Sequence, residues 1–338
     1  MRIIAKFLIF GSIYFIGSYL FISGGNAQTG FAPLPHGNNG IAALYPIDVN
    51  IRSHADVLFV DGFEGYSSPS ELLTNWNNFY QGSNTRIASE VGNAFSGNRS
   101  LEFTQPQGSS EVANAVVKNL VSSQDTLFVR VYCKFEFDFG VTDPGHNGIR
   151  ISSPNYPGPG NVPNGQDFFV ASLENSAYYN ESQPGYTNVY CYHPEQRSQW
   201  GDHWYPDGKV LPFDSTPGNF GASFVPRPNF IPETGRWYSY EFMVKTNTPG
   251  QRDGRIAAWV DGTLIADFQN VRLRDTNTLK IGQIQLELHA QSNTERADRK
   301  WYDNLVVAKS YIGPMSSGSS PDTTPPAAPT GLVIKEPK

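Results

Sequence analysis

Between Gln283 and Ala290 the chain alternates strictly: Ile284, Leu286, Leu288 and Ala290 are apolar, and Gln283, Gln285, Glu287 and His289 are polar. Successive side chains of a strand point to opposite faces of its sheet, so the pattern predicts one core face and one chemically rich face. Two amides, a carboxylate and an imidazole can bind hydroxyls and move protons, whereas a merely solvated strand more often shows Thr, Lys or Ser. A second alternating run extends from Leu127 to Phe139. Leu127, Val129, Val131, Cys133, Phe135, Phe137 and Phe139 fall on one side, and Phe128, Arg130, Tyr132, Lys134, Glu136 and Asp138 on the other. A strand is usually about five or six residues, so a run of this length suits the curved sheet of a large sandwich.

Further strands are predicted near 57–60, 99–104, 112–117, 168–174, 187–193, 237–246, 255–261 and 301–308, and no stretch beyond the N-terminus sustains helical periodicity. Together with 32 Gly and 25 Pro, these strands define an all-β chain with irregular loops. The 338 residues leave room for one β domain of about 200–250 residues and its appendages. Residues 28–55 are rich in Gly, Pro and Asn and are expected to wrap the surface of a sandwich spanning 56–313. The tail, 314–338, is Ser, Gly, Pro and Thr, which cannot bury a core. Residues 1–27 are expected to be a leader: Arg2 and Lys6 precede an apolar run from Phe7 to Ile22, and Gly25-Asn26-Ala27 supplies small residues for cleavage after Ala27. A retained anchor is the alternative. Either implies export, to the medium, periplasm or cell surface, with no stable membrane partner unless the leader is kept. A monomer is expected.

Composition narrows the partners. Charged residues are only 17%, the net charge is −6 and the pI is near 5.5, which argues against nucleic acid, since that partner calls for a basic stripe. An acidic polysaccharide stays open, because a local basic patch can hold it. The two cysteines, Cys133 and Cys191, fall on core-facing positions and match neither a zinc spacing nor a nucleophile signal. Export permits a disulfide between them, and buried free thiols are the alternative. A long loop from 194 to 232 contains Trp200, His203, Trp204, Tyr205, Phe213, Phe220 and Phe224. It is expected to pack over one sheet edge, with Trp200 and Trp204 stacking on sugar rings or forming a satellite core.

Several phrases taken together resemble a known group. Gly40-Ile41-Ala42-Ala43-Leu44-Tyr45-Pro46, Val57-Leu58-Phe59-Val60-Asp61-Gly62-Phe63-Glu64 and Ser96-Gly97-Asn98-Arg99-Ser100-Leu101 open the domain. Trp237 through Val244-Lys245-Thr246-Asn247-Thr248-Pro249-Gly250, with Trp259-Val260-Asp261-Gly262, follows, and Trp301-Tyr302-Asp303-Asn304-Leu305-Val306-Val307-Ala308 with Tyr311-Ile312-Gly313-Pro314 closes it. Over about 40–314 the chain resembles secreted bacterial concanavalin A-like jelly-roll proteins of the polysaccharide-lyase-like type. The resemblance implies a two-sheet antiparallel β-jelly-roll sandwich with carbohydrate in a concave groove. It implies a polar strand before the last one, a place that 281–290 fills, though with Glu287 and His289 where lyases of this class carry Lys and Tyr. It also implies a structural Ca²⁺ between the first and last strands, with Glu64 and Asp303 at the matching ends.

β-Elimination needs a group that neutralises the uronate carboxylate, a base and an acid. Arg130, Gln283 or Gln285 can bind the carboxylate. His289, or His146 in the loop Pro144-Gly145-His146-Asn147-Gly148, can be the base, and Tyr132, Tyr190 or Tyr192 the acid, with Lys134, Trp200 and Trp204 contacting substrate. Arg130, Tyr132, Lys134, Gln285, Glu287 and His289 are expected to share one open face, where the Arg130 and Lys134 charges favour a carboxylated polymer. Glycoside hydrolysis, with Glu287 about 5–5.5 Å from Glu136 or Asp138, and non-catalytic glycan binding are the alternatives.

Overall fold

The computed structural model describes residues 31–140, 145–176, 183–211, 224–291 and 296–317. The chain separates into a unit of residues 1–33, of which only 31–33 are described, and a unit from Leu34 onward. Among the described residues of the latter the strands are β1 (Val57–Asp61), β2 (Asn78–Tyr80), β3 (Thr85–Ala88), β4 (Ser100–Gln105), β5 (Val112–Gln124), β6 (Thr126–Phe135), β7 (Ile149–Ser152) and β8 (Val170–Ser176). They continue as β9 (Tyr186–Tyr192), β10 (Asp202–Trp204), β11 (Val210–Leu211), β12 (Tyr238–Lys245), β13 (Gly254–Val260), β14 (Thr263–Val271), β15 (Ile281–Ala290) and β16 (Asp298–Ala308). All pair antiparallel, in two sheets. The first runs β14-β13-β12-β6-β16-β4-β3 with β1 also on β16, and the second runs β11-β10-β9-β8-β7-β15-β5-β2.

Alternation explains why the sheets stack. Val129, Val131 and Phe135 of β6 meet Leu286 and Leu288 of β15 in one buried cluster, each contributing about 1.5–3 kcal/mol by leaving water. The chain is thus a two-sheet antiparallel sandwich, as the sequence predicts. Tight turns follow local chemistry: β13 and β14 join through Asp261 and Gly262, both at positive φ (48° and 74°), as a two-residue hairpin turn demands. Cys133 and Cys191 are both free and buried, one in each sheet. Burial pushes the Cys133 thiol up to about 11 and Cys191 well above its ordinary value, so both are inert core residues.

One expectation is corrected by topology. β6 and β15 lie in opposite sheets, so their polar faces point away from each other. Arg130 is fully buried on the outer face of the first sheet and pairs with Asp48 of the N-terminal segment. Tyr132 accepts a hydrogen bond from the Met315 amide at 2.8 Å and stacks on Phe95 at 3.6 Å. Lys134 donates to Gly92 O and to Asn93 Oδ1 at 3.0 Å. None of the three reaches the face of Glu287, and all serve to fasten covering segments to the first sheet. β6 also ends at Phe135: Phe139 N turns back to Glu136 O at 3.0 Å, and Phe137 is exposed. Glu136 pairs with Arg299 and Asp138 with Arg296 on that far side, so neither carboxylate joins Glu287 as a hydrolytic pair.

Candidate active site

The outer face of the second sheet lines a cavity of about 850 Å³ that extends from Tyr80 of β2 to Leu211 of β11. At its centre the segment 145–148 passes between β8 and β15. A Cβ on Gly145 would lie 1.8 Å from His289 O, and one on Gly148 1.8 Å from Leu173 O, so only glycine permits this approach. The segment continues the pairing of β7: His289 N donates to His146 O at 2.6 Å and Glu287 N to Gly148 O at 3.0 Å. On the other side Asn147 Nδ2 donates to Asn175 O at 2.7 Å and its Oδ1 accepts from Asn175 N at 3.0 Å. His146 is therefore presented by a backbone held from both flanks.

Beneath it lies the buried carboxylate of Glu174, 2.7 Å from His146 Nδ1 and 3.3 Å from His203 Nδ1. His203 Nδ1 also lies 3.0 Å from Asn188 Oδ1. The Tyr190 ring sits between the two imidazoles, 4.5 Å from each. Burial opposes charge on both His146 and Glu174, but their mutual attraction and hydrogen bond win: His146 is raised above its ordinary value and Glu174 is held down to about 2. His289, 5.3 Å from the His146 ring, moves the other way. Burial and then the neighbouring His146 charge lower it, while its Nε2 lies 2.9 Å from Glu111 Oε1. Two imidazoles side by side are thus pushed apart in proton affinity, the arrangement that separates acid from base roles.

Around this pair, Arg150 Nε contacts Glu287 Oε1 at 3.0 Å and its guanidinium lies 5.4 Å from the Tyr156 ring centre. Tyr190 OH accepts from Gly201 N and donates to Tyr192 OH, both at 3.1 Å. Burial drives the Tyr190 hydroxyl far above its ordinary value, so it keeps its proton. Among the described residues, the arrangement therefore offers a guanidinium paired with Glu287, two imidazoles of opposed proton affinity and a chain of two hydroxyls.

Of the residues singled out in the sequence, His146, Glu287, His289, Gln285, Tyr190, Tyr192 and Trp200 line this cavity. Gln283 lies beside it, accepting from Gln285 Nε2 at 2.7 Å and donating to Asn119 at 2.9 Å. Trp204 is a correction: it is fully buried against Phe224 and Phe268 in the core, because β10 turns that side inward. Phe213 and Phe220 lie outside the described residues. Sequence reading missed Arg150, Glu174, His203 as a site residue, Tyr156 and Tyr80. The faint signal for Arg150 is its place between Ile149 and Ile151 in a four-residue strand.

The Glu64 and Asp303 carboxylates face N–H donors. Glu64 Oε1 accepts from Asn98 and Arg99 at 2.8 and 2.9 Å, and Asp303 Oδ2 from Phe95 and Ser96 at 2.8 and 3.2 Å. Among the described residues no three His, Cys, Asp or Glu come together for a metal. Those N–H groups already occupy carboxylate lone pairs that a Ca²⁺ site of six to eight oxygens would use. The expected result is a Tm that EDTA leaves unchanged; a chelator-induced fall would restore the ion.

The described residues form a two-sheet antiparallel β-sandwich of jelly-roll type. Residues 182–290 match the family model of polysaccharide lyase 14. Among solved structures, alginate lyase Aly36B superposes with a TM-score of 0.54 at 17% identity, covering 76% of this chain and 98% of its own. A substituted form of that enzyme in complex with alginate tetrasaccharide superposes at 0.53, with 16% identity and 76% and 98% coverage. The marine alginate lyase from Aplysia kurodai gives 0.52 and 15%, covering 75% and 100%. No curated protein matches the chain.

Proposed function

We propose that the protein is an exported polysaccharide lyase that cleaves an acidic, uronate-containing glycan by β-elimination. The observation that carries this reading is the pair of imidazoles 5.3 Å apart with opposite shifts in proton affinity, beside Arg150 and the Tyr190–Tyr192 hydroxyls in one cavity. The family match over 182–290 and the fold shared with alginate lyases support it. Export rests on the leader pattern of residues 1–27.

In this mechanism Arg150 and protonated His146 neutralise the uronate carboxylate, which makes the neighbouring C–H acidic. Neutral His289 takes that C5 proton. The released electron pair forms the C4–C5 double bond, the glycosidic C4–O bond breaks, and the leaving oxygen takes a proton from Tyr192, whose oxygen is held by the Tyr190 hydroxyl. The proton taken by His289 returns to Tyr192 through water once product leaves. Trp200 and Tyr80, each 49% exposed, offer stacking faces for flanking sugars. A hydrolase would need a carboxylic acid held protonated, whereas His146 holds the Glu174 carboxyl well below its ordinary value.

The test is a panel of alginate, glucuronan, pectin, hyaluronan and a neutral glucan, read for the ultraviolet absorbance of an unsaturated uronate and separately for new reducing ends. Absorbance gain on an acidic polymer is expected and none on the glucan. Reducing ends without absorbance would replace the lyase with a hydrolase, and retention without either product would leave a binding protein.

A further inference from the structure

Two polar side chains cross the core from the first sheet to the underside of the site. Lys300 and Tyr302, two apart on β16, face inward and are buried to 1% and 0% exposure. Lys300 Nζ donates to the backbone carbonyl of Asn147, the residue after His146. Tyr302 OH donates to the backbone carbonyl of Glu287 at 2.5 Å. Stacked sheets lie about 10 Å apart, a gap that Lys and Tyr can span and shorter side chains cannot. The Lys300 ammonium otherwise rests on aromatic faces, 4.1 Å from the Phe135 and 5.0 Å from the Tyr302 ring centre, and among the described residues no carboxylate lies within ion-pair distance of it.

A buried ammonium without a carboxylate is costly, and burial lowers Lys300 to about 8. A methionine would fill the same space without that cost. We propose that Lys300 and Tyr302 are positioning residues, two posts that fix the backbone at Asn147 and Glu287 and so hold His146 and Glu287 at their working distance. The inference rests on the reading of His146 and Glu287 as site groups. Lys300 spends stability on geometry, as functional sites commonly do.

The test is Lys300→Met and Tyr302→Phe in the full chain, each read by Tm, by NMR titration of the His146 ring, and by turnover on the polymer found in the panel. For K300M the expected result is a Tm unchanged or raised by a few degrees, with kcat reduced about tenfold or more and KM within about twofold. His146 should titrate lower, because the charges acting on it are Glu174, Glu287 and Arg150 and a loosened segment moves it off Glu174. Tyr302→Phe should show the same split with a smaller fall in kcat. A Tm that drops in K300M with an unmoved His146 titration would make Lys300 an ordinary structural residue and overturn the proposal. Should K300M fail to fold, Y302F with wild-type kcat would overturn it as well. If the wild-type protein cleaves nothing, the lyase reading fails, while the His146 titration and Tm still decide the role of the posts.

Discussion

On the proposed lyase mechanism, replacing His289 by alanine is expected to lower kcat by about 10²–10⁴-fold, the contribution typical of a positioned base, while Tm changes little because the ring sits at the cavity wall. The argument turns on which of the two imidazoles is neutral. His289 is lowered from 6.5 by burial and by the His146 charge, so at pH 7 it has a lone pair to accept a proton. The free enzyme should therefore show kcat/KM falling on the acid side, with its midpoint below 6.5. His146→Gln removes the like charge 5.3 Å away, so whatever activity remains should show that acid limb displaced upward. Stopped assays across pH on purified variants provide both readouts. Near-wild-type turnover in H289A would dismiss it as base.

The two polar faces singled out from alternation met different fates for a physical reason. Period-two patterning tells which residues of one strand share a face, but not which sheet the strand joins. The face of Gln285, Glu287 and His289 opens onto the cavity, whereas that of Arg130, Tyr132 and Lys134 lies under the N-terminal segment and residues near 315. Strand pairing is a long-range property: β15 finds β5 across more than 150 positions of chain. Short strands were lost altogether. Arg150 lies in a four-residue strand, too brief for a period to emerge, and its partner Glu287 is remote in sequence. Glu174 was readable as part of a strand near 168–174 but not as a site group. A buried carboxylate signals itself only through the two histidines folded against it. By contrast Val129, Val131, Phe135, Leu286 and Leu288 are legible as core from local alternation alone, and all five lie in the buried cluster.

That carboxylate gives the second large effect. Glu174→Gln should cost about 3–5 kcal/mol of stability at neutral pH, the usual result of removing one partner of a buried pair, and should lower kcat by about a hundredfold or more. The uncharged amide no longer attracts the His146 proton, and where its NH₂ faces His146 Nδ1 the ring must present a lone pair there in place of an N–H. The pH dependence of stability supplies the sign. Glu174 is depressed from 4.5 to about 2, so its contribution is fully present above 4.5 and is lost as pH falls through about 2, and integrated over that shift it is worth about 3 kcal/mol. His146 is raised above 6.5, so its share is present below 6.5 and is lost as pH rises through the folded-state value. The pair therefore stabilises the protein most between 4.5 and 6.5. Denaturant unfolding of wild type and E174Q across pH 3–9 should show the difference between them greatest in that window and shrinking on either side. An E174Q variant with wild-type turnover and a parallel pH–stability curve would mean that Glu174 neither charges His146 nor orients it.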